Sequence, residues 1–557
     1  MRKFLIALVA LAVLLPPGLG LAATTEDDLQ QKINDLQQQL KALQGQVQKI
    51  KEQKEAAPIV MPAATPVADN ETETKTKTAT WPNWLRIGGD YRARLDYLSG
   101  DAPAFYDFLE SGKFADQVYQ YMHGGPVPTV GPTEDAATKY KNHSLLTNRF
   151  GLNITASPLD NVNVKARLLM YKIWGSETEN PLDQNLFFMD RAGTFDGVLG
   201  HVPSSDYLGV DYAYATWYNI AGQPLWFSIG RRPSTSGVPG NIRQNAQTTG
   251  TAGVPSPLID YAFDGLSIGY APYIDALPGA YAKICAGRGF DSGFSKLHDT
   301  NFVGLFLVPY STDNLSIELL ADKGIDIFDV PPDFALPTTA VSQNGIDFNA
   351  ALNPTTNVGN IYWYGGVVQG KVLDNLNLFA SAALSDAHPN GNKAGAFAPF
   401  IGQAFAAAGV NPTPQEVQAF EPQMLDGQNH TGEAFYVGAR YDLPTGTKIG
   451  AEYNYGSKYW IGFVPAGDDM WTSKVGTRGN VYEGYIIQEL HGKKIDKLAK
   501  AYFRLGYQYY DFQYTGSNNW LGTPVKISDL LASPNNMQMF PVIKKAQDIY
   551  LTFEVHF

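Results

Sequence analysis

Hydrophobic and polar positions along this chain follow two periods, and the change from one to the other falls near residue 80. From Thr25 to Glu55 the apolar residues Leu29, Ile33, Leu36, Leu40, Leu43, Val47 and Ile50 are spaced alternately by four and three. This is the seam of a coiled coil, with Ile33, Leu40 and Val47 at a and the others at d. Thr25 followed by Asp28 offers a helix start. One helix leaves such a seam uncovered, so the segment predicts a homo-oligomer, dimer or trimer, against the alternative of a single helix lying on a larger body. Residues 56–80, rich in Ala, Pro, Thr and alternating charge, read as an extended linker.

From Trp81 the period is two. Ile87, Tyr91, Ala93, Leu95 and Tyr97 share one face of a first strand, and Asp90, Arg92, Arg94 and Asp96 the other. A soluble sandwich buries such an apolar face and a membrane barrel turns it to lipid, so one strand does not decide. The connections do. Short turns rich in Gly, Pro, Asn and Asp, as at 157–161, 220–224, 309–314, 373–375 and 443–446, alternate with long polar segments near 98–144, 175–207, 232–260, 323–358, 386–430 and 514–544. Short periplasmic turns alternating with long outer loops are the mark of outer-membrane barrels. The fold class is therefore all-β: a transmembrane antiparallel β-barrel of about 16 strands over residues 81–557, preceded by a short α-helical coiled coil over residues 25–55. The last strand places Ile549, Leu551, Phe553, Val555 and Phe557 on one face and ends on an aromatic. Phe553, Val555 and Phe557 resemble the C-terminal signal read by the bacterial barrel-assembly machinery.

The N-terminus supports export. Arg2 and Lys3 precede the apolar run Phe4–Leu15, and Gly20, Leu21 and Ala22 provide a cleavage site, so residues 1–22 read as a signal peptide. The apolar run is shorter than the ~20 residues a helix needs to span a bilayer, and no comparable run follows, so any crossing is by strands. Charged residues are only 17% of the chain and aromatics 12%, a balance suited to a wall between lipid and water. The single cysteine, Cys285, excludes an internal disulfide and a self-attached c-type haem. The net charge of −12 argues against a nucleic-acid partner.

By parity the faces opposite the apolar ones line the lumen. They carry Arg92, Arg94, Arg149, Lys165, Arg167, Lys283, Arg440, Lys448, Lys500 and Arg504, with the acids Asp90, Asp96, Asp211, Glu318 and Glu452. Basic residues outnumber acids there, which predicts a constriction that tolerates or prefers anions; the alternative is that these charges pair and keep the lumen wet. Arg231 and Arg232 enter a long loop, at the pore mouth or at the lipopolysaccharide layer. Thr413-Pro414-Gln415-Glu416 is a helix start, and the Ala- and Phe-rich stretch 394–408 before it folds into the lumen, binds a partner or packs on other loops. No Gly-x-Ser-x-Gly is present, and no two histidines have metal-ligand spacing, so neither an enzyme, a metal site nor a cofactor is expected.

The segments 450–460 (Gly-Ala-Glu-Tyr-Asn-Tyr-Gly-Ser-Lys-Tyr-Trp) and 474–479 (Lys-Val-Gly-Thr-Arg-Gly), together with the heptads, resemble a family of porin-like outer-membrane channels with an N-terminal coiled coil, found in metal-respiring bacteria rich in multihaem cytochromes. The resemblance covers most of the mature chain and implies no catalytic residue. It implies a protein of the Gram-negative outer membrane, in contact with its lipid, with the coiled coil in the periplasm. Passive passage of small solutes or ions is the leading expectation. A sheath for a partner multihaem cytochrome in extracellular electron transfer, and a cell-wall tether or adhesin, are the alternatives.

Overall fold

A computed structural model describes residues 84–175, 203, 205–234, 237–245, 258–294, 298–330, 355–464, 469–492 and 499–557. The signal peptide, coiled coil and linker expected before residue 81 lie outside the described residues.

Period-two segments become strands because alternate side chains fall on opposite faces, so each strand presents one face to lipid and one to the interior. Sixteen of them close into one antiparallel barrel: β1 (Leu85–Ala102), β4 (Thr138–Leu159), β5 (Val162–Ile173), β6 (Ser205–Trp217), β7 (Leu225–Ser234), β8 (Tyr261–Tyr270), β9 (Tyr281–Phe290), β10 (Thr300–Ser311), β11 (Leu315–Phe328), β12 (Asn357–Leu373), β13 (Leu376–Pro389), β14 (His430–Asp442), β15 (Thr447–Gly456), β16 (Gly479–Glu489), β17 (Lys500–Phe512) and β18 (Lys545–His556). Each pairs with its sequence neighbours, and β18 returns to β1 with Leu551 opposite Leu95. The C-terminal residue closes the seam. Phe557 and Gly89 exchange both backbone hydrogen bonds, at 2.8 and 3.0 Å. Closure removes the unpaired strand edges that lipid does not tolerate.

Outward positions are apolar and exposed, among them Leu95, Ile229, Ile284, Leu305, Val437 and Leu551. A closed barrel with this exterior is a membrane-spanning, porin-like architecture of the outer-membrane type. Among the described residues no helix is long and apolar enough to cross a membrane.

Connections alternate in length. Those following β4, β10, β12 and β14 are tight turns, whereas those following β1, β5, β7, β11, β13, β15 and β17 are long. The long ones lie at the end of the barrel away from the C-terminus. The loop after β1 holds a two-stranded sheet, β2 (Phe105–Asp107) with β3 (Thr133–Asp135), and helix α1 (Gly112–Met122). The loop after β7 holds one helical turn, α2 (Gly240–Arg243), and that after β13 holds α3 (Ala398–Ala407) and α4 (Pro414–Phe420). At α4 the expected start is formed in full: the Thr413 hydroxyl accepts from Glu416 N while the Glu416 side chain accepts from Thr413 N.

Candidate functional site

Strand register sets the following residues on the inner face, and Asp211, at an irregularity in β6, lies beside Arg167. Asp90, Arg92, Arg94 and Asp96 lie on β1, opposite Gly151, Arg149, Thr147 and Leu145 of β4. Lys165 and Arg167 of β5 face Thr155 and Asn153. Further round, Lys283 lies opposite Phe306, Glu318 opposite Val367, Arg440 opposite Gly450, Glu452 opposite Glu483, and Arg504 opposite Thr552. The terminal residues Phe553, Val555 and Phe557 share the opposite parity; the register sets Phe553 opposite Ala93 and Val555 opposite Tyr91 on the outer face.

Two long loops turn inward and meet these residues. In the loop after β7, Val238–Arg243 and Asn245 are largely buried, and four wall residues grip the loop's backbone: Arg440 Nη1 donates to Ile242 O (2.6 Å), Arg504 Nη1 to Arg243 O (2.8 Å), Tyr502 Oη to Gln244 O (3.1 Å) and Lys500 Nζ to Asn245 O (2.6 Å). Lys448 Nζ donates to Asn245 Oδ1 (2.7 Å), and Asn245 Nδ2 to Glu489 Oε1 (2.9 Å). Wall cations expected to face pore water thus serve as donors to a loop whose own carbonyls would otherwise be unsatisfied.

The second inward loop follows β15. Its Lys474 bridges Glu452 and Glu483 (2.5 Å to Glu483), with all three side chains no more than 4% exposed. Arg243 from the first loop completes the group through Glu483 (2.8 Å) and Asp469 (2.9 Å). Tyr436 and Tyr485 donate to Glu452, Tyr550 donates to Glu483, and Gln508 donates to Asp469 at 2.7 Å. Beside it, Arg94 is held between Asp96 (2.6 Å) and Asp548 (2.9 Å), all fully buried. Inward glycines make room for the tyrosines. A Cβ on Gly450 would stand 2.2 Å from Tyr485 Cζ, and one on Gly506 the same distance from Tyr550 Cζ. The segments 450–460 and 474–479, separate in sequence, meet here through Glu452 and Lys474.

A different inner wall runs over β10–β13. Phe302, Phe306, Val308, Leu320, Ile361, Trp363, Ala383 and Ala387 face inward and are buried. The same loops cover them: Phe463 packs on Phe302 at 4.7 Å and on Trp363 at 5.6 Å, and Trp363 Nε1 donates to Ile461 O (2.7 Å). The stretch 394–408 joins this core through Phe400, Ile401, Ala404 and Phe405. The loops are tied to each other, with Asp260 N donating to Phe463 O and Phe463 N to Leu258 O, both at 2.9 Å. Lys283 and Glu318 border this arc, with the Lys283 ammonium 4.5 Å from the Phe306 ring centre.

Among the described residues, the third arc, β4–β7, is less filled. Arg149 and Arg167 keep 18% and 13% side-chain exposure, and Asn153, Lys165 and Tyr212 are half-buried. Arg167 pairs with Asp90 (2.6 Å) and Asp211 (3.5 Å), and Arg149 reaches Asp90 at 3.7 Å. Arg232 faces inward against Ser267, while its neighbour Arg231 has outward parity and pairs with exposed Asp264 at 3.5 Å.

Parity named the charged wall residues of the strands, but it did not name Glu483 or the loop residues Arg243, Asp469 and Lys474. The available signal was the low polarity of Val238-Pro239-Gly240-Asn241-Ile242 and Met470-Trp471, unusual for loops in water.

A family model described as "Protein of unknown function (DUF3373)" matches residues 139–557. Among solved structures, the chain is similar to OmpT, an outer membrane protein of Vibrio cholerae in its trimer form, at 11% identity over 85% of this chain and 99% of that one, with a TM-score of 0.38. It is similar to the outer membrane channel DcaP of Acinetobacter baumannii at 11% identity over 85% and 97%, TM-score 0.38. A third similarity is to Salmonella typhi OmpF in complex with daunomycin, at 8% identity over 84% and 97%, TM-score 0.36. No curated protein matches the sequence.

Proposed function

We propose, for a chain that belongs to the family described as "Protein of unknown function (DUF3373)", a passive channel of the Gram-negative outer membrane in which small solutes or ions move along the β4–β7 side of the lumen. The observation that carries this is the uneven filling of the barrel among the described residues. Arg149 and Arg167 keep access to solvent, while Arg94, Asp96 and Asp548 keep none. Basic Arg149, Lys165, Arg167 and Arg232 face this side with acidic Asp90 and Asp211, four against two, and a surplus of fixed positive charge favours anions in a narrow pore. The reading assigns no catalytic group. A sheath for a multihaem cytochrome would need the remaining lumen for its guest, and from β10 to β18 the chain's own loops lie against that wall. The heptad segment belongs to the same proposal as a periplasmic self-association element.

Planar-bilayer conductance of the purified full-length protein tests the channel, alongside a haem stain of the native complex. Stable conductance without haem is expected, and a non-conducting barrel that copurifies with haem would overturn it. Reversal potentials in a salt gradient should show anion preference that falls in Arg149→Ala with Arg167→Ala; cation preference in the unaltered protein would sink the selectivity reading.

A further inference from the structure

The loops at the outer mouth border a half-open cavity of about 560 Å³ that the channel reading does not use. It is bounded by segments from five connections, those following β1, β11, β13, β15 and β17. Its lining is mostly apolar and aromatic, with Phe114 and Val118 of α1, Phe397, Phe420, Met539 and Phe540 contributed by three different connections. Side chains of this kind on outer loops would ordinarily be buried against one another or replaced by polar ones, and a concave apolar space of this size falls in the range of small-molecule sites.

Among the described residues two charged side chains touch the cavity, and both are engaged by the chain itself. Asp329 accepts from Val330 N, from Thr355 N and Oγ1, and from Ala396 N. Arg478 donates to the carbonyls of Trp460, Thr515 and Asn519. Neither is set to receive an ionic ligand. The cavity therefore offers apolar surface, aromatic faces and adaptable methionine, and the charges among its described lining residues are already matched.

We infer that this cavity is a binding site for a neutral, mainly apolar molecule of drug-like size, aromatic or alicyclic. Its wall includes Trp471, on the same inward loop as Asp469 and Lys474, so an occupant contacts the loop that closes part of the lumen.

The test is equilibrium binding of 1-naphthol to the full-length protein in lipid nanodiscs, with empty nanodiscs as the partition control and heat-modifiable gel mobility as the check of folding. Saturable one-site binding is expected. Met539→Asp and Val118→Asp, on two separate connections, should each weaken it about tenfold or more by placing a charge in the apolar space, while Met539→Leu stays within about twofold. Uptake no greater than by empty discs, or affinity unchanged in both folded Asp variants, would overturn the inference. Equal affinity for 1-naphthoate would overturn the assignment to neutral ligands. None of these readouts depends on conductance.

Discussion

Two arcs of one inner wall are filled by opposite means. On β14–β18 and β1, inward charges meet partners nearly one for one: Glu483 has Arg243, Lys474 and Tyr550, and Arg94 has Asp96 and Asp548. On β10–β13, inward aromatics and aliphatics are covered by Phe463, Ile401 and Phe405. The same two loops, after β7 and β15, contact both arcs. The polar arc depends on each partner being present, because a buried charge left alone costs several kcal/mol. The apolar arc depends on volume, and its contacts are individually small and exchangeable.

The sharpest way to break the comparison is Glu483→Ala. It leaves Arg243 and Lys474 buried with fewer carboxylates, and a loss of about 3–5 kcal/mol is expected in urea unfolding of the barrel in lipid vesicles. A loss no larger than that of an exposed substitution would mean the cluster is solvated and the contrast false. On the apolar arc, Ile401→Ala at a fully buried position should cost about 3 kcal/mol in the same assay. Replacement by Leu should restore most of it, which no neutral substitution of Glu483 should do. Outside both arcs, Thr413→Ala removes the capping box of α4 and should cost about 1 kcal/mol, read as faster proteolysis of 410–425 with the barrel intact.

The smallest expected effect concerns pH. Asp107, in the loop after β1, is pushed up to about 6 by burial, opposed by hydrogen bonds from Leu109 N and Glu110 N and reinforced by the nearby Asp135 and Glu110. A carboxyl raised on folding contributes stability that is full below roughly pH 4 and is lost as pH rises through about 6. Protection of 103–137, as exchange rates divided into the intrinsic rates at each pH, should therefore be higher at pH 5 than at pH 7.5, and Asp107→Asn should flatten that difference.

The two arcs were not equally legible. Strands β1 and β18 alternate cleanly, so Arg92, Arg94, Asp548 and Tyr550 could be assigned inward from the sequence. In β10 the run Asn301-Phe302-Val303-Gly304-Leu305-Phe306-Leu307-Val308 is apolar at both parities, and alternation cannot say which side meets lipid. Only the register, with Phe302 opposite Gly324 and Phe306 opposite Leu320, sets those residues inside. Lys283, Glu318 and Glu452 were assignable to the lumen, yet what they meet there depends on where loops after distant strands come to rest.

What the sequence by itself determined is the barrel: a side-chain period of two and short turns alternating with long loops are local features, each dictated by backbone geometry and by lipid outside. Tertiary structure alone decided the interior. Arg243 and Glu483 are 240 positions apart, and Trp363 and Ile461 are 98 apart. Such contacts form only once closure has brought the walls within reach and the loops have folded back between them, because burying a charge or an indole is favourable only where a specific partner already waits.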